Sequence, residues 1–179
     1  VLFFIYGIEQ FEFIELIFSF IVISLLIPMC LIDMEHLYFP SKILFSSIIF
    51  SFIYTGLTFW FNNNYNAFLG IICGLTFLIA IYFLTKIFLL NRKNQDPMGF
   101  GDILLIIPLG AWLGPVKIIL CLFLASLFAL IAWIILWLVK GFNFKMRMPF
   151  GPYLFLAAIV LKITNLHELI FALIFQIRL

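Results

Sequence analysis

Residues 98–115 read MGFGDILLIIPLGAWLGP, and this stretch decides how the rest of the sequence is interpreted. Within it a single carboxylate, Asp102, stands where a charged segment gives way to an apolar run. A second isolated carboxylate, Asp33, stands at the end of an earlier apolar run. Ionisable side chains at membrane depth are costly and indicate a functional site by default. The pattern therefore predicts chemistry by two acids at one face of a bilayer.

The composition excludes most classes of soluble protein. Of 179 residues, 66% are hydrophobic and only 10% are charged, whereas a soluble domain carries about 25% charged residues. Lipid must therefore be the solvent for most of the chain. The net charge of +2 is too small to indicate a nucleic-acid partner. The lipid bilayer is the one partner that composition alone predicts.

Breaks rich in Gly, Pro, Asn or charge divide the chain into apolar runs, and such residues commonly mark helix ends. The opening run, Val1–Tyr6, is interpreted as the tail of a helix that begins upstream. The runs that follow predict helices over residues 10–31, 42–61, 66–90, 102–113, 116–139, 151–163 and 168–178. The expected fold is all-α: one membrane-embedded domain over residues 1–179, a polytopic transmembrane bundle of six or seven helices plus the truncated leading one.

The basic residues orient this bundle. If Asp33 faces the cytoplasm, eight of the 10 Lys and Arg residues lie on the same side. These are Lys42, Lys86, Arg92, Lys93, Lys140, Lys145, Arg147 and Arg178. Lys117 and Lys162 fall on the other side. Cytoplasmic loops carry an excess of Lys and Arg, so the sequence predicts that both acids face the cytoplasm and that 102–113 is a separate crossing.

Paired carboxylates suit peptide hydrolysis. One carboxylate must be ionised to take a proton from water, and the other must be protonated to donate to the scissile carbonyl. Two like charges about 3 Å apart cannot both ionise, so such a pair shares one proton. Asp33 and Asp102 are therefore the candidate catalytic pair. The alternative from spacing alone is that Asp102 is a helix cap and Asp33 a solvated loop acid.

Other residues near the two acids are weaker candidates. Gly99 and Gly101 would let the loop lie against an extended substrate backbone, because neither has a side chain. Glu35 and His36 stand close enough in sequence to tune Asp33, although an exposed loop pair is the simpler interpretation. The last candidates are Arg92 and Lys93, which would either anchor a helix to anionic headgroups or dock an acidic residue of a substrate.

Four ordered segments carry a resemblance to a known family. They are Ile32-Asp33-x6-Pro40, Met98-Gly99-Phe100-Gly101-Asp102, Gly110-Ala111-Trp112-Leu113-Gly114 and Met148-Pro149-Phe150-Gly151-Pro152-Tyr153. In order and spacing, residues 4–160 resemble the type IV prepilin peptidases, a GxGD family of aspartic proteases. The resemblance implies a multi-pass enzyme of the bacterial inner membrane. It would remove the short basic leader of prepilins or pseudopilins at the cytoplasmic face, with Asp33 and Asp102 catalytic.

Three departures separate this chain from the family pattern. Ser41 stands where an acid is frequent, and Leu104 where Lys is frequent. The paired CxxC motifs of bifunctional members, linked to methylation with S-adenosylmethionine, are absent from this sequence. Its three cysteines lie in apolar runs without CxxC spacing and are interpreted as buried small hydrophobes. Neither zinc nor S-adenosylmethionine is therefore expected, and peptidase chemistry needs no cofactor.

Three other functions stay open from the sequence. A presenilin-type protease would share the chemistry but cleave within the span, and the segment over 148–152 argues against it. An ion- or proton-coupled transporter would use the two acids as a cation site, although such sites tend to lie near the midplane on broken helices. The last is a noncatalytic assembly component whose acids are caps.

Overall fold

The computed structural model describes residues 2–88, 99–140 and 149–164, and all regular structure within them is helical. The helices, in chain order, are α1 (Leu2–His36), α2 (Ser41–Asn62), α3 (Asn66–Phe88), α4 (Phe100–Lys140) and α5 (Gly151–Ile163). This architecture confirms the predicted all-α membrane bundle. The predicted helix 168–178 and the segments around Arg92 and Arg147 lie outside the described residues.

The first helix corrects two predicted boundaries. The opening run and the predicted helix 10–31 are one continuous helix, α1, which passes Pro28 and continues to His36. Asp33 therefore lies in the last turn of a helix and not in a loop. Leu37, the next residue after α1, has a φ of 56°, and its N–H donates to the Asp33 carbonyl at 3.0 Å. The left-handed residue ends the helix.

The fourth helix is two helices joined at Gly114, whose φ of 77° and ψ of 178° are not helical. We name residues 100–113 α4a and residues 115–140 α4b. A Cβ built on Gly74 of α3 would lie 2.5 Å from Ile106 and 3.0 Å from Ile118. In a straight helix those two isoleucines would be roughly 18 Å apart. The chain therefore reverses direction at Gly114, as the predicted break between 113 and 116 requires.

Helix α4a occupies the centre of the bundle. Every residue from Leu105 to Leu113 is buried, with no exposed face, and a helix that is apolar all round is expected to be enclosed. Its 14 residues reach only roughly 21 Å, less than the hydrocarbon thickness of about 30 Å. Because its neighbours enclose α4a, it does not have to match the bilayer by its own length.

Small residues let α3 and α4 approach to backbone contact. A Cβ on Gly70 would lie 2.1 Å from the Gly110 carbonyl oxygen and 2.8 Å from the Gly114 Cα. A Cβ on Gly110 would in turn lie 2.7 Å from the Gly70 carbonyl oxygen. We call Gly70, Gly110 and Gly114 the glycine contact. It is the small-residue packing common between helices in membranes.

The outer faces of the bundle are apolar. Large exposed side chains include Phe20, Phe45, Trp60, Phe83 and Phe123, with exposed fractions between 58% and 82%. Four stretches of the described helices are long and apolar enough to cross a membrane: Ile14–His36, Ser41–Phe61, Asn66–Ile87 and Phe100–Val139. The last contains both halves of α4. The exposed surface is thus suited to lipid.

A polar cluster joins three helices at the end of the bundle far from Asp33. Lys162 of α5 is ion-paired with Glu15 of α1, and its ammonium lies 5.7 Å from the centre of the Trp112 ring of α4a. The Trp112 indole N–H donates to Ser19 Oγ of α1 at 2.8 Å. We call Glu15, Ser19, Trp112 and Lys162 the distal cluster. Both charged side chains are mostly covered, with exposed fractions of 23% for Lys162 and 32% for Glu15.

The glycine contact gives a first prediction. Gly70→Ala should lower the free energy of unfolding by about 1–3 kcal/mol, because the new methyl group meets backbone atoms that cannot rotate away. Gly56→Ala is the matched control, since nothing lies within 4 Å of a Cβ at that exposed position. SDS titration of the detergent-solubilised protein measures both variants. Equal stability of the two would contradict the close approach of α3 and α4.

The distal cluster gives a second prediction. Lys162→Met should cost about 1–3 kcal/mol of stability, because Glu15 is left covered and unpaired. The double variant Glu15→Lys with Lys162→Glu should recover at least half of the loss, since it restores an ion pair between the same helices. Thermal unfolding in detergent measures the recovery. A double variant less stable than Lys162→Met would show that the pair does not join α1 to α5.

Candidate active site

Asp33 is buried, with only 5% of its surface exposed. That exposure excludes the alternative in which it is a solvated loop acid. A carboxylate in the last turn of a helix faces the negative end of the helix dipole, which disfavours its charge. Burial disfavours the charge further. Asp33 therefore needs a hydrogen-bond donor from another part of the chain.

Helix α5 supplies that donor. The Gly151 N–H, the first of α5, donates to Asp33 Oδ2 at 3.1 Å. The N-terminus of a helix presents free N–H groups and the positive end of the dipole, so it is a favourable place for an anion. Pro152 stands in the first turn of α5, where proline costs no hydrogen bond. The Met148–Tyr153 segment thus builds the partner of Asp33.

Asp102 has a similar environment at the start of α4a. It lies in the first turn of the helix, its carboxylate forms a hydrogen bond with the Gly99 backbone, and its own N–H donates to the Gly99 carbonyl at 3.1 Å. This is the return half of a capping box, in which the third helical residue bonds back to the N-cap. Asp102 is therefore not itself the N-cap. Its partly buried carboxylate is held by a second helix N-terminus.

The fold brings these two carboxylates together although 69 positions separate them in sequence. Gly151, whose N–H binds Asp33, and Gly101, which adjoins Asp102, contact the same aromatic ring. That ring, Phe39, lies between the two helix N-termini. Its atoms approach within 2.4 Å of where a Cβ on Gly101 would stand and within 2.7 Å of a Cβ on Gly151. One aromatic ring thus contacts both segments that hold the acids.

The structure gives the two glycines different environments: Gly99 immediately precedes α4a, and Gly101 lies in the first turn of α4a and not in a loop. Gly99 is exposed and contacts the Asp102 carboxylate, with 3.1 Å from a built Cβ to Oδ2. At Gly101 the space a side chain would occupy is filled by Phe39. The absence of a side chain at Gly101 therefore makes room for the Phe39 ring, a contact inside the protein and not one with a substrate. A role for Gly99 against a substrate backbone stays a prediction.

The remaining candidates are not brought into the pair. Glu35 and His36 face one another across 3.8 Å, and their side chains are 77% and 58% exposed. That geometry favours an exposed pair over a role in tuning Asp33, although the pair lies in the last turn of α1 and not in the predicted loop. Arg92 and Lys93 lie outside the described residues, so their docking role stays a prediction.

Two parts of the site had no clear signal in the sequence. Phe39 is one of 25 phenylalanines, and nothing in its local pattern marks it as a contact between the two acidic segments. Gly151 lies in a quoted motif, yet the sequence does not tell which acid its N–H would meet. Chemically, the site offers two carboxylates held at neighbouring helix N-termini in an apolar setting, each with one backbone donor. That is what shared-proton acid–base chemistry requires.

Comparison with known proteins identifies the family. The model of the type IV leader peptidase family matches residues 20–134, which is more than half of the chain and includes both acids. Similar proteins are the prepilin leader peptidase/N-methyltransferases of Neisseria gonorrhoeae, 31% identical over 152 residues, and of Legionella pneumophila, 27% identical over 152 residues. The corresponding protein of Aeromonas salmonicida is 29% identical over 136 residues.

These alignments cover 81%, 82% and 74% of this chain, respectively, but 48%, 50% and 44% of the relatives. The chain thus spans about half the length of the curated relatives that it matches. No solved structure matches it. The match to the family model confirms the resemblance drawn from the four motifs: this chain belongs to the type IV leader peptidase family, a family of proteases.

Proposed function

We propose that this chain is an aspartic endopeptidase that removes the leader from prepilins or pseudopilins, with Asp33 and Asp102 as its catalytic pair. The observation that carries the proposal is geometric. The Gly151 N–H of α5 binds Asp33, Asp102 lies in the first turn of α4a, and the Phe39 ring contacts both of these helix N-termini. The names of the relatives, prepilin leader peptidase/N-methyltransferase, support the substrate class.

The reaction begins with a water molecule between the two carboxyl groups. The pair carries one proton, because two adjacent carboxylates repel each other in an apolar setting. The ionised member takes a proton from water while the protonated member donates to the scissile carbonyl oxygen. The new C–O bond gives a neutral tetrahedral diol, and the pair again holds one proton.

The second step breaks the C–N bond. One carboxyl group protonates the leaving nitrogen, and the other takes a proton from a hydroxyl group of the diol as the carbonyl re-forms. The products are a free carboxyl terminus on the leader and a free amino terminus on the mature protein. Neither step forms a covalent bond to the enzyme or needs a metal, so we propose no cofactor for cleavage and do not extend methyl transfer to this chain.

The distribution of charge supports an orientation. Lys42 lies in the first turn of α2 and Lys86 in the last turn of α3, and both positions lie toward the end of the bundle that holds the acids. Lys117 and Lys162 lie toward the opposite end. An excess of basic residues marks the cytoplasmic side of a membrane protein. We therefore place the acids at the cytoplasmic face of the bacterial inner membrane in a multi-pass protein.

The substrate would enter as a membrane-inserted helix with a basic leader. Its backbone must be unwound at the scissile bond, and irregular backbone is tolerated where it can be hydrated. Helix ends at the rim of the bundle suit that requirement. The ion-coupled transporter has less support, because carriers tend to place their ion sites near the midplane on broken helices. Here both acids lie in terminal turns of α1 and α4a.

Removal of either acid gives a third prediction. Asp33→Asn and Asp102→Asn should each lower the cleavage rate by at least about a hundredfold, because an amide cannot transfer the proton. Glu35→Gln is the matched control. Glu35 is an acid two residues from Asp33 but is exposed and paired with His36, so this variant should keep its rate within about twofold.

Mass spectrometry of both products, after incubating the reconstituted protein with a purified prepilin, measures cleavage and locates the scissile bond. Circular dichroism of each variant in detergent checks that the helices are intact. Full activity in either Asp→Asn variant would rule out the pair, and an inactive Glu35→Gln would move the chemistry away from the buried acids.

The Gly151 contact gives a fourth prediction. A Cβ on this residue would lie 2.9 Å from Asp33 Oδ2 and 2.7 Å from the Phe39 ring. Gly151→Ala should therefore displace Asp33 and lower kcat by about tenfold to a hundredfold, since small shifts of reacting groups are costly. Gly56→Ala is again the control. A Gly151→Ala enzyme with unchanged kcat would show that the α5 N–H does not position Asp33.

A further inference from the structure

We infer that Phe39 is a positioning residue: its ring sets the spacing between the N-termini of α4a and α5 and thereby the spacing of the two carboxyl groups. The inference rests on the proposed function for its meaning in catalysis. The spacing of the N-termini of α4a and α5 by the ring does not depend on that function.

The contacts of the ring carry the inference. One edge of Phe39 is directed at Gly101, where a built Cβ would lie 2.4 Å from Cδ2 and 3.3 Å from Cε2. The far edge is directed at Gly151, where a built Cβ would lie 2.7 Å from Cζ and 2.9 Å from Cε1. The ring therefore fills the space between two backbones that both lack side chains. Neither helix end can move toward the other without displacing it.

The two glycines lead directly to the acids. Gly101 is the immediate neighbour of Asp102, and the Gly151 N–H is the donor to Asp33 Oδ2. A shift of either backbone would therefore move a carboxyl group or its hydrogen bond. Phe39 has no group that can transfer a proton, and its contacts are with the two backbones at Gly101 and Gly151. That is positioning and not chemistry.

The turn before α2 fixes the ring. Leu37 has a left-handed φ of 56°, a conformation that costs a branched side chain energy. Three residues later, Pro40 restricts its own φ to −66° as the N-cap of α2. Phe39 thus stands between two constrained residues, and it packs against the hydrophobic core. The backbone around Phe39 has little freedom to re-aim the ring.

A compensating pair of substitutions tests this role. Gly101→Ala should lower kcat by about tenfold to a hundredfold, because its methyl group meets the ring, and Phe39→Ala should do the same by removing the spacer. The double variant Phe39→Ala with Gly101→Ala should have a kcat at least about tenfold higher than that of Gly101→Ala, with KM within about twofold of wild type.

Two further variants serve as controls. Phe39→Leu should keep kcat within about threefold of wild type. Phe123→Ala, at a 61% exposed phenylalanine of α4b, should match wild type.

Kinetics use a purified prepilin and are normalised to folded protein. A double variant no faster than the slower single variant would overturn the inference, as would a loss confined to KM. A loss of stability alone, without the recovery of kcat, would also overturn it, because a purely structural contact predicts that pattern.

A second measurement is independent of activity. Spin labels are attached through Phe100→Cys and Phe150→Cys after Cys30, Cys73 and Cys121 are changed to Ala, and dipolar broadening reports the distance between the two helix ends. We expect a wider distance distribution in the Phe39→Ala background than with Phe39 present. An unchanged distribution would overturn the inference whatever the enzyme does. A wild-type protein that fails to cleave any prepilin, with the distribution widened as expected, would overturn only the proposed function.

Discussion

The backbone contact of Gly70 with Gly110 and Gly114 is the constraint on which the rest of the bundle depends. Lipid offers no hydrophobic drive for helices to associate, so close packing has to supply the attraction. With side chains at these positions, α3 would stand away from α4a and the reversal at Gly114 would lose its support. The contact seats α4a in the middle of the bundle, buried from Leu105 to Leu113. Because its neighbours enclose α4a on all sides, they fix the position of Asp102 in its first turn although the helix is short.

The two ends of the bundle have complementary roles. At one end Asp33 and Asp102 each accept a hydrogen bond from a helix N-terminus, so two groups that repel each other are separately stabilised. At the other end the distal cluster joins α1, α4a and α5, the same three elements that carry or hold the acids. The distal cluster thus fixes the relative positions of α1, α4a and α5 at the end of the bundle opposite the acids. Rotation of any one of these helices would disturb contacts at both ends.

Much of this organisation was predictable from the sequence, for identifiable reasons. The apolar runs predict the helices. The Gly114-Pro115 break predicts the reversal of the chain, because glycine and proline interrupt helices in lipid as in water. The isolated acids were evident against a chain with 10% charged residues. The sequence predicts the end of α1 too early, because Asp33 and Glu35 indicate a loop by composition, whereas Asp33 is buried and bonded to the first N–H of α5.

Other features depend on contacts between distant residues, which a single sequence does not reveal. Glu15 and Lys162 give no sign of pairing at a separation of 147 positions. Phe39 is indistinguishable by composition from phenylalanines that face lipid. The donor role of Gly151 depends on where α5 begins relative to Asp33. In each case the residue type was visible and its partner was not.

Both hydrogen bonds to the acids come from main-chain amides, and this limits how the site can change during evolution. No exchange of one side chain for another deletes an amide; only proline removes its hydrogen. Substitutions around the site are therefore expected to be tolerated where they keep the Phe39 contacts and add no bulk next to the two acceptors. The electrostatics of the pair thus depend mainly on the path of the backbone, and the residues that must be kept are those that hold that path, Phe39, Gly101 and Gly151.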